Sequence, residues 1–150
     1  MSLLASIRPD SWNFPLFLHV LGAMVLIGAV TTGAAAALFA PGTSEPGRMR
    51  RVAFRALLLV GLPAYIVMRI GAEWLYSKEF PGDSSNDPDW IGVGYITADA
   101  GALLFLIALV LAGIASRKSK SGLGKAAGII AGVCLIAWVV AVWAMSAKPG

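Results

Sequence analysis

The sequence predicts an all-α integral membrane protein, a four-helix up-down bundle with both termini outside. Three observations predict it. Apolar residues make up 58% of the 150-residue chain and charged residues only 13%, against about 25% charged in a soluble domain. Four apolar runs, at about 14–40, 52–76, 91–115 and 124–146, each reach the roughly 20 residues a bilayer crossing needs. The basic residues gather in the first and third connections, as the positive-inside rule places cytoplasmic loops. The whole of 1–150 is then one transmembrane domain.

The first run follows a short tail in which Ser11 or Asn13 is a candidate helix cap and Pro15 falls in the first turn, where proline is tolerated. Ala34 to Ala37 mimic a signal-cleavage region, but the apolar run before them is far longer than a signal core and lacks a basic start, so it reads as a retained span. Its one strongly polar residue is His19. Pro41-Gly42 stops it, and Glu45, Arg48, Arg50 and Arg51 follow in a Pro/Gly turn. Arg55 opens the second run, from which a long side chain can snorkel back, and Pro63 predicts a kink near its middle.

The connection between the second and third runs is acidic, with Glu79, Asp83, Asp87 and Asp89, and rich in Pro, Gly, Ser and Asn. Trp74, Tyr76 and Trp90 around it have the look of an interfacial aromatic belt. Arg117, Lys118, Lys120 and Lys125 form the second basic connection. The fourth run opens with Gly124, Gly128 and Gly132. This small-residue spacing fits helix packing within the chain or, alternatively, a homo-oligomer seam. The lone Cys134 excludes an internal disulfide.

Function has to be sought where charge enters the apolar runs. With the basic loops cytoplasmic in a cell inner (plasma) membrane, helix rise places His19 about 8 Å, Arg69 about 10 Å and Asp99 about 12 Å below the outer surface, and Glu73 one turn above Arg69. A charge at membrane depth costs about 2.5–3.5 kcal/mol on insertion scales, so these groups should turn inward and pair. Arg69 with Asp99 is the expected pair, Glu73 the second partner. Tyr65 shares the face of Arg69, and Tyr95 the face of Asp99, at four-residue spacing. Two readings stand: an ion-pair network that fixes helix register, or an outward-opening polar pocket of His19, Arg69, Glu73, Asp99, Tyr65 and Tyr95 that binds a ligand.

Haem is the cofactor His19 brings into question, with Met24 or Met68 as a second axial ligand. No metal site is predicted, because His-x-x-x-His and Glu-x-x-His spacings are absent, although His19, Glu73 and Asp99 are metal-ligand types. A nucleotide loop, a serine-protease constellation and a Cys-x-x-Cys pair are also absent. Nucleic-acid binding is not needed to explain the net charge of +4, since topology accounts for it. The expected partners are the lipid bilayer and a second copy or another membrane protein.

Phe17-Leu18-His19-Val20-Leu21-Gly22-Ala23-Met24 resembles the first helix of small bacterial four-helix integral membrane proteins of unknown function. Gly61-Leu62-Pro63 and Trp90 are similar in placement. The resemblance covers most of the chain through short apolar motifs, and it implies a four-helix fold without an established activity. More distantly, the early histidine is similar to that of copper-resistance D-like proteins and membrane protoporphyrinogen oxidases, which implies haem at His19. Those carry further polar residues or histidines in later helices, whereas His19 is the single histidine here. The functional expectation is a small membrane-embedded binding or accessory protein. The alternatives are a haem-dependent redox protein and an oligomeric conductor of protons or small solutes.

Overall fold

In a computed structural model, residues 10–80 and 89–147 are described, and all of their regular structure is helical. Helix α1 spans Asn13–Phe39, α2 Pro46–Arg55, α3 Leu62–Glu79, α4 Asp89–Lys118 and α5 Ser121–Ala147. A π-helical segment, Ala56–Gly61, joins α2 to α3. Together they give four helical rods long and apolar enough to cross a membrane. The centre of the acidic connection, with Asp83 and Asp87, lies outside the described residues.

The helices overrun the apolar runs and absorb the basic loops. Pro46 was expected in a turn, yet it opens α2; its fixed φ and missing N–H suit the first turn of a helix. Arg48, Arg50 and Arg51 are therefore helical. The second basic loop shrinks to Ser119 and Lys120, with Ser119 in the left-handed region at φ 53°. Neither Ser11 nor Asn13 caps α1. A 3-10 turn, Asp10–Trp12, precedes it, and Asn13 donates to Asp10 instead.

Before Pro63, where a kink was expected, the helix contains a π-helical segment. Proline has no N–H, and its ring crowds the carbonyl four residues earlier. The backbone widens just before it into a π turn, where the Leu62 N–H bonds to the Leu57 carbonyl five residues back. Below this segment α2 packs against α1 and α4; above it α3 packs chiefly on α1. Helices α4 and α5 stay together along their length, and α5 also packs on α1.

Small residues make these contacts. The core is built largely of alanines, among them Ala34, Ala64, Ala108, Ala112, Ala127 and Ala131, around Leu26, Val30, Leu57, Phe105 and Trp138. The closest backbone-to-backbone approach at a glycine is between α1 and α3. A Cβ on Gly22 would stand 2.6 Å from the Met68 amide nitrogen, and one on Gly71 would stand 2.5 Å from that of His19. Only a residue without a side chain fits backbone against backbone at that spacing.

The glycines expected to pack in α5 do so only in part. Gly124 lies against the Arg50 stem, and Gly128 against Leu38 and Ala34 of α1. A Cβ on Gly132 would meet nothing within 4 Å. At 3.6 residues per turn, a four-residue row precesses by about 40° per step, so Gly132 has turned out of the seam. The buried residues of α5 are Gly124, Ala127, Gly128, Ala131, Cys134, Trp138, Ala141 and Ala144. At Gly128 the packing partner is α1 of the same chain, which is the within-chain packing expected of this row.

Candidate functional site

Where α3 leaves α4, a cavity of about 470 Å³ opens, walled by α1, α3, α4 and α5. Most of the wall is apolar, including Val20, Ala23, Ile27, Leu75, Ala98 and Met145. Its deep end carries Tyr65 and Trp138, which stack at 6.5 Å between ring centroids, each also against Phe105 at 6.3 and 6.0 Å. Toward the acidic end stand Tyr76, Phe80, Trp90 and Tyr95, joined ring to ring at 5.5–6.3 Å. Tyr76 and Trp90, two of the three belt aromatics, therefore line the cavity. Trp74 lies on the other face of α3, edge-on to Phe14 at 5.9 Å.

Trp138 is held by geometry the sequence does not advertise. Its indole N–H donates to the Ala98 carbonyl at 3.3 Å, and Gly101 leaves the room its ring fills. One turn before, the Cys134 thiol donates to the Gly101 carbonyl at 3.1 Å. A tryptophan placed deep in an apolar helix, away from an aromatic belt, is the one signal that would have marked it.

His19 lines the cavity. Its Nδ1 lies 3.1 Å from the Met68 carbonyl oxygen. A carbonyl only accepts, so Nδ1 is the donor in this bond. The close α1–α3 crossing at Gly22 and Gly71 brings this side chain within reach of the α3 backbone.

Arg69 joins α3 to α4. Its Nη1 donates to Asp99 Oδ1 at 2.9 Å and its Nε pairs with Glu73 Oε1 at 3.0 Å. The guanidinium carbon also lies 5.1 Å from the centre of the Tyr95 ring, a cation–π distance. Arg69, Tyr65 and Tyr95 line the cavity, but Glu73 and Asp99 do not. Their side chains are 50% and 58% exposed on the outer side of the α3–α4 seam.

The expectation that all four ionisable groups turn inward is therefore corrected. The reason is again helical precession: one four-residue step from Tyr95 carries Asp99 about 40° out of the cavity, and two steps from Tyr65 carry Glu73 about 80°. His19 bonds to the Met68 carbonyl, whereas both carboxylates pair with Arg69. Among the described residues no three His, Cys, Asp or Glu side chains converge as a metal site. What the site offers is an apolar chamber with polar groups from His19, Arg69, Glu79 and the tyrosines, and an ion-paired latch on its outer wall.

Comparison with protein-family models, with curated proteins and with solved structures finds no match for this chain.

Proposed function

We propose that the chain is a multi-pass protein of the plasma membrane that binds a neutral, lipid-like amphiphile in the outward half of its bundle. The cavity carries the reading: about 470 Å³ between four helices, within the 300–1,000 Å³ of small-molecule sites, with apolar walls and a few convergent polar groups. Two carboxylates already balance the Arg69 charge, so the site favours a carbonyl or hydroxyl head over a free anion. The aromatic deep end takes the apolar body. The orientation rests on eight cations at one end, Arg48, Arg50, Arg51, Arg55, Arg117, Lys118, Lys120 and Lys125, which the positive-inside rule puts in the cytoplasm.

A brominated long-chain alcohol tests the binding, with Trp138 kept as the sole tryptophan. Saturable quenching of its fluorescence, abolished by the cavity-filling Ala98→Leu, is expected. Linear, unsaturable quenching that Ala98→Leu leaves unchanged is simple partitioning and rejects the site.

A second reading rests on His19 alone. With Nδ1 committed to the Met68 carbonyl, Nε2 is the nitrogen left to face a ligand, the arrangement that orients a ligating imidazole. Haem-replete expression decides it: a Soret band lost in His19→Ala supports haem, and its absence from the wild-type chain rejects it.

A further inference from the structure

Seven of the eight cations at the basic end are exposed, and Arg50 is not. It is 8% exposed and is the buried charged residue among those described. Its stem lies across the first turn of α5, where a Cβ on Gly124 would stand 3.4 Å from Arg50 Cδ. Its Nε is buried without a hydrogen-bond partner among the described residues. Arginine usually snorkels to water in this setting, and a buried donor without an acceptor costs about 1–3 kcal/mol.

Among the described residues no acid pairs with Arg50. Glu45 is the one carboxylate among these cations, and it is paired with Arg48 at 3.3 Å. Helix α5 starts beside the Arg50 stem. The first N–H groups of a helix favour anions; here the Gly124 N–H already bonds to the Lys120 carbonyl at 3.2 Å, which leaves those of Ser121, Gly122 and Leu123. Gly122 in that turn has open space where a side chain would be, and Gly124 admits the Arg50 stem.

We infer that the junction of α2 with the α5 N-terminus is a binding site for a phosphoryl anion, with the Arg50 guanidinium as its buried anchor. The Nε–H and an Nη–H present the two-pronged donor that matches two phosphoryl oxygens. The surrounding exposed cations raise the local anion concentration. The phosphoryl group belongs to an anionic lipid headgroup or to free phosphate. The site lies at the opposite end from the amphiphile cavity and does not depend on it.

The test is native mass spectrometry of the full chain in detergent, titrated with phosphatidylglycerol or phosphatidylcholine. Phosphatidylglycerol should be retained roughly tenfold better than in Arg50→Gln, the scale of one charge-assisted hydrogen bond. The exposed-residue control Arg55→Gln should change retention less than about twofold. Protection of the Cys134 thiol reports that each variant is folded. If Arg50→Gln does not fold, Arg50→Lys keeps the stem and charge but not the fork, and should still lose retention several-fold. Millimolar inorganic phosphate separates the sources: displacement of the lipid identifies free phosphate as a ligand, and no displacement identifies the headgroup. Equal retention of the two lipids, or full retention in Arg50→Gln or Arg50→Lys, overturns the proposal.

Discussion

Replacing Gly71 by alanine tests the contact on which the cavity depends. The new methyl carbon would stand 2.5 Å from the His19 amide nitrogen, 2.8 Å from the Pro15 carbonyl oxygen and 2.9 Å from His19 Cα. All three belong to the α1 backbone, so no rotamer change relieves them. Reaching an ordinary contact of 3.4 Å parts the helices by about 0.9 Å, which forfeits roughly a quarter to a half of the dispersion well for atom pairs along the seam. Overpacking of this kind costs about 1–3 kcal/mol. The same movement stretches the His19–Met68 bond from 3.1 Å beyond hydrogen-bonding distance, for about 1 kcal/mol more. Against this, alanine is the better helix former by about 1 kcal/mol. The net expectation is a loss of about 1–3 kcal/mol. Gly132→Ala gains the propensity without a clash, because nothing lies within 4 Å of its Cβ. Unfolding in mixed detergent–SDS micelles, followed by circular dichroism, should therefore separate the two variants by about 2–4 kcal/mol. Equal stability would refute the close backbone approach.

Other expectations follow from the same geometry. Arg69→Ala and Asp99→Ala should be less than additive, with a coupling of about 0.2–1 kcal/mol appropriate to a part-exposed pair; strict additivity in the double-mutant cycle would reject the pairing. Trp138→Ala should cost about 3–5 kcal/mol, the range for a large core aromatic, and a cost below about 1 kcal/mol would remove Trp138 from the core. Cys134 is 0% exposed, so maleimide should leave it unmodified until SDS unfolds the chain; rapid labelling of the folded protein would contradict its burial. Without Cys134, a cysteine at Thr43 should react only from the cytoplasmic side in right-side-out and inverted vesicles, and the opposite pattern would overturn the proposed threading.

Much of this architecture is legible in composition and charge. Long apolar runs define the rods, and the clustering of Arg and Lys tells the two ends apart. The Arg69–Asp99 contact is also legible, because helix rise converts residue number into depth and both residues fall at one level. Which way each group faces is harder to read. Tyr65, Arg69 and Glu73 are neighbours along one row, yet the row winds round the helix, so its first two members line the cavity and its third does not. Gly124, Gly128 and Gly132 mislead in the same way. The packing glycines of the α1–α3 crossing, Gly22 and Gly71, sit in unremarkable apolar context, and only the partner helix shows why they lack side chains. Arg50 reads as one more loop cation until α2 is seen to begin at Pro46 and carry it under α5.

The π turn at Ala56–Gly61 has a consequence for how this chain tolerates change. It takes up one residue more than an α-helical turn, so everything beyond it is rotated by about 100° from where an unbroken α-helix would put it. The two halves of that rod are phased independently: one presents Arg50 to α5, the other presents Arg69 to Asp99. Deleting a single residue within the segment would let the helix close into regular geometry while keeping nearly all its apolar character. Hydropathy would barely register the loss, but Arg69 and Tyr65 would swing away from the cavity together. The segment therefore works as an indexing joint, and the chemistry of the upper half is sensitive there to chain length more than to side-chain identity.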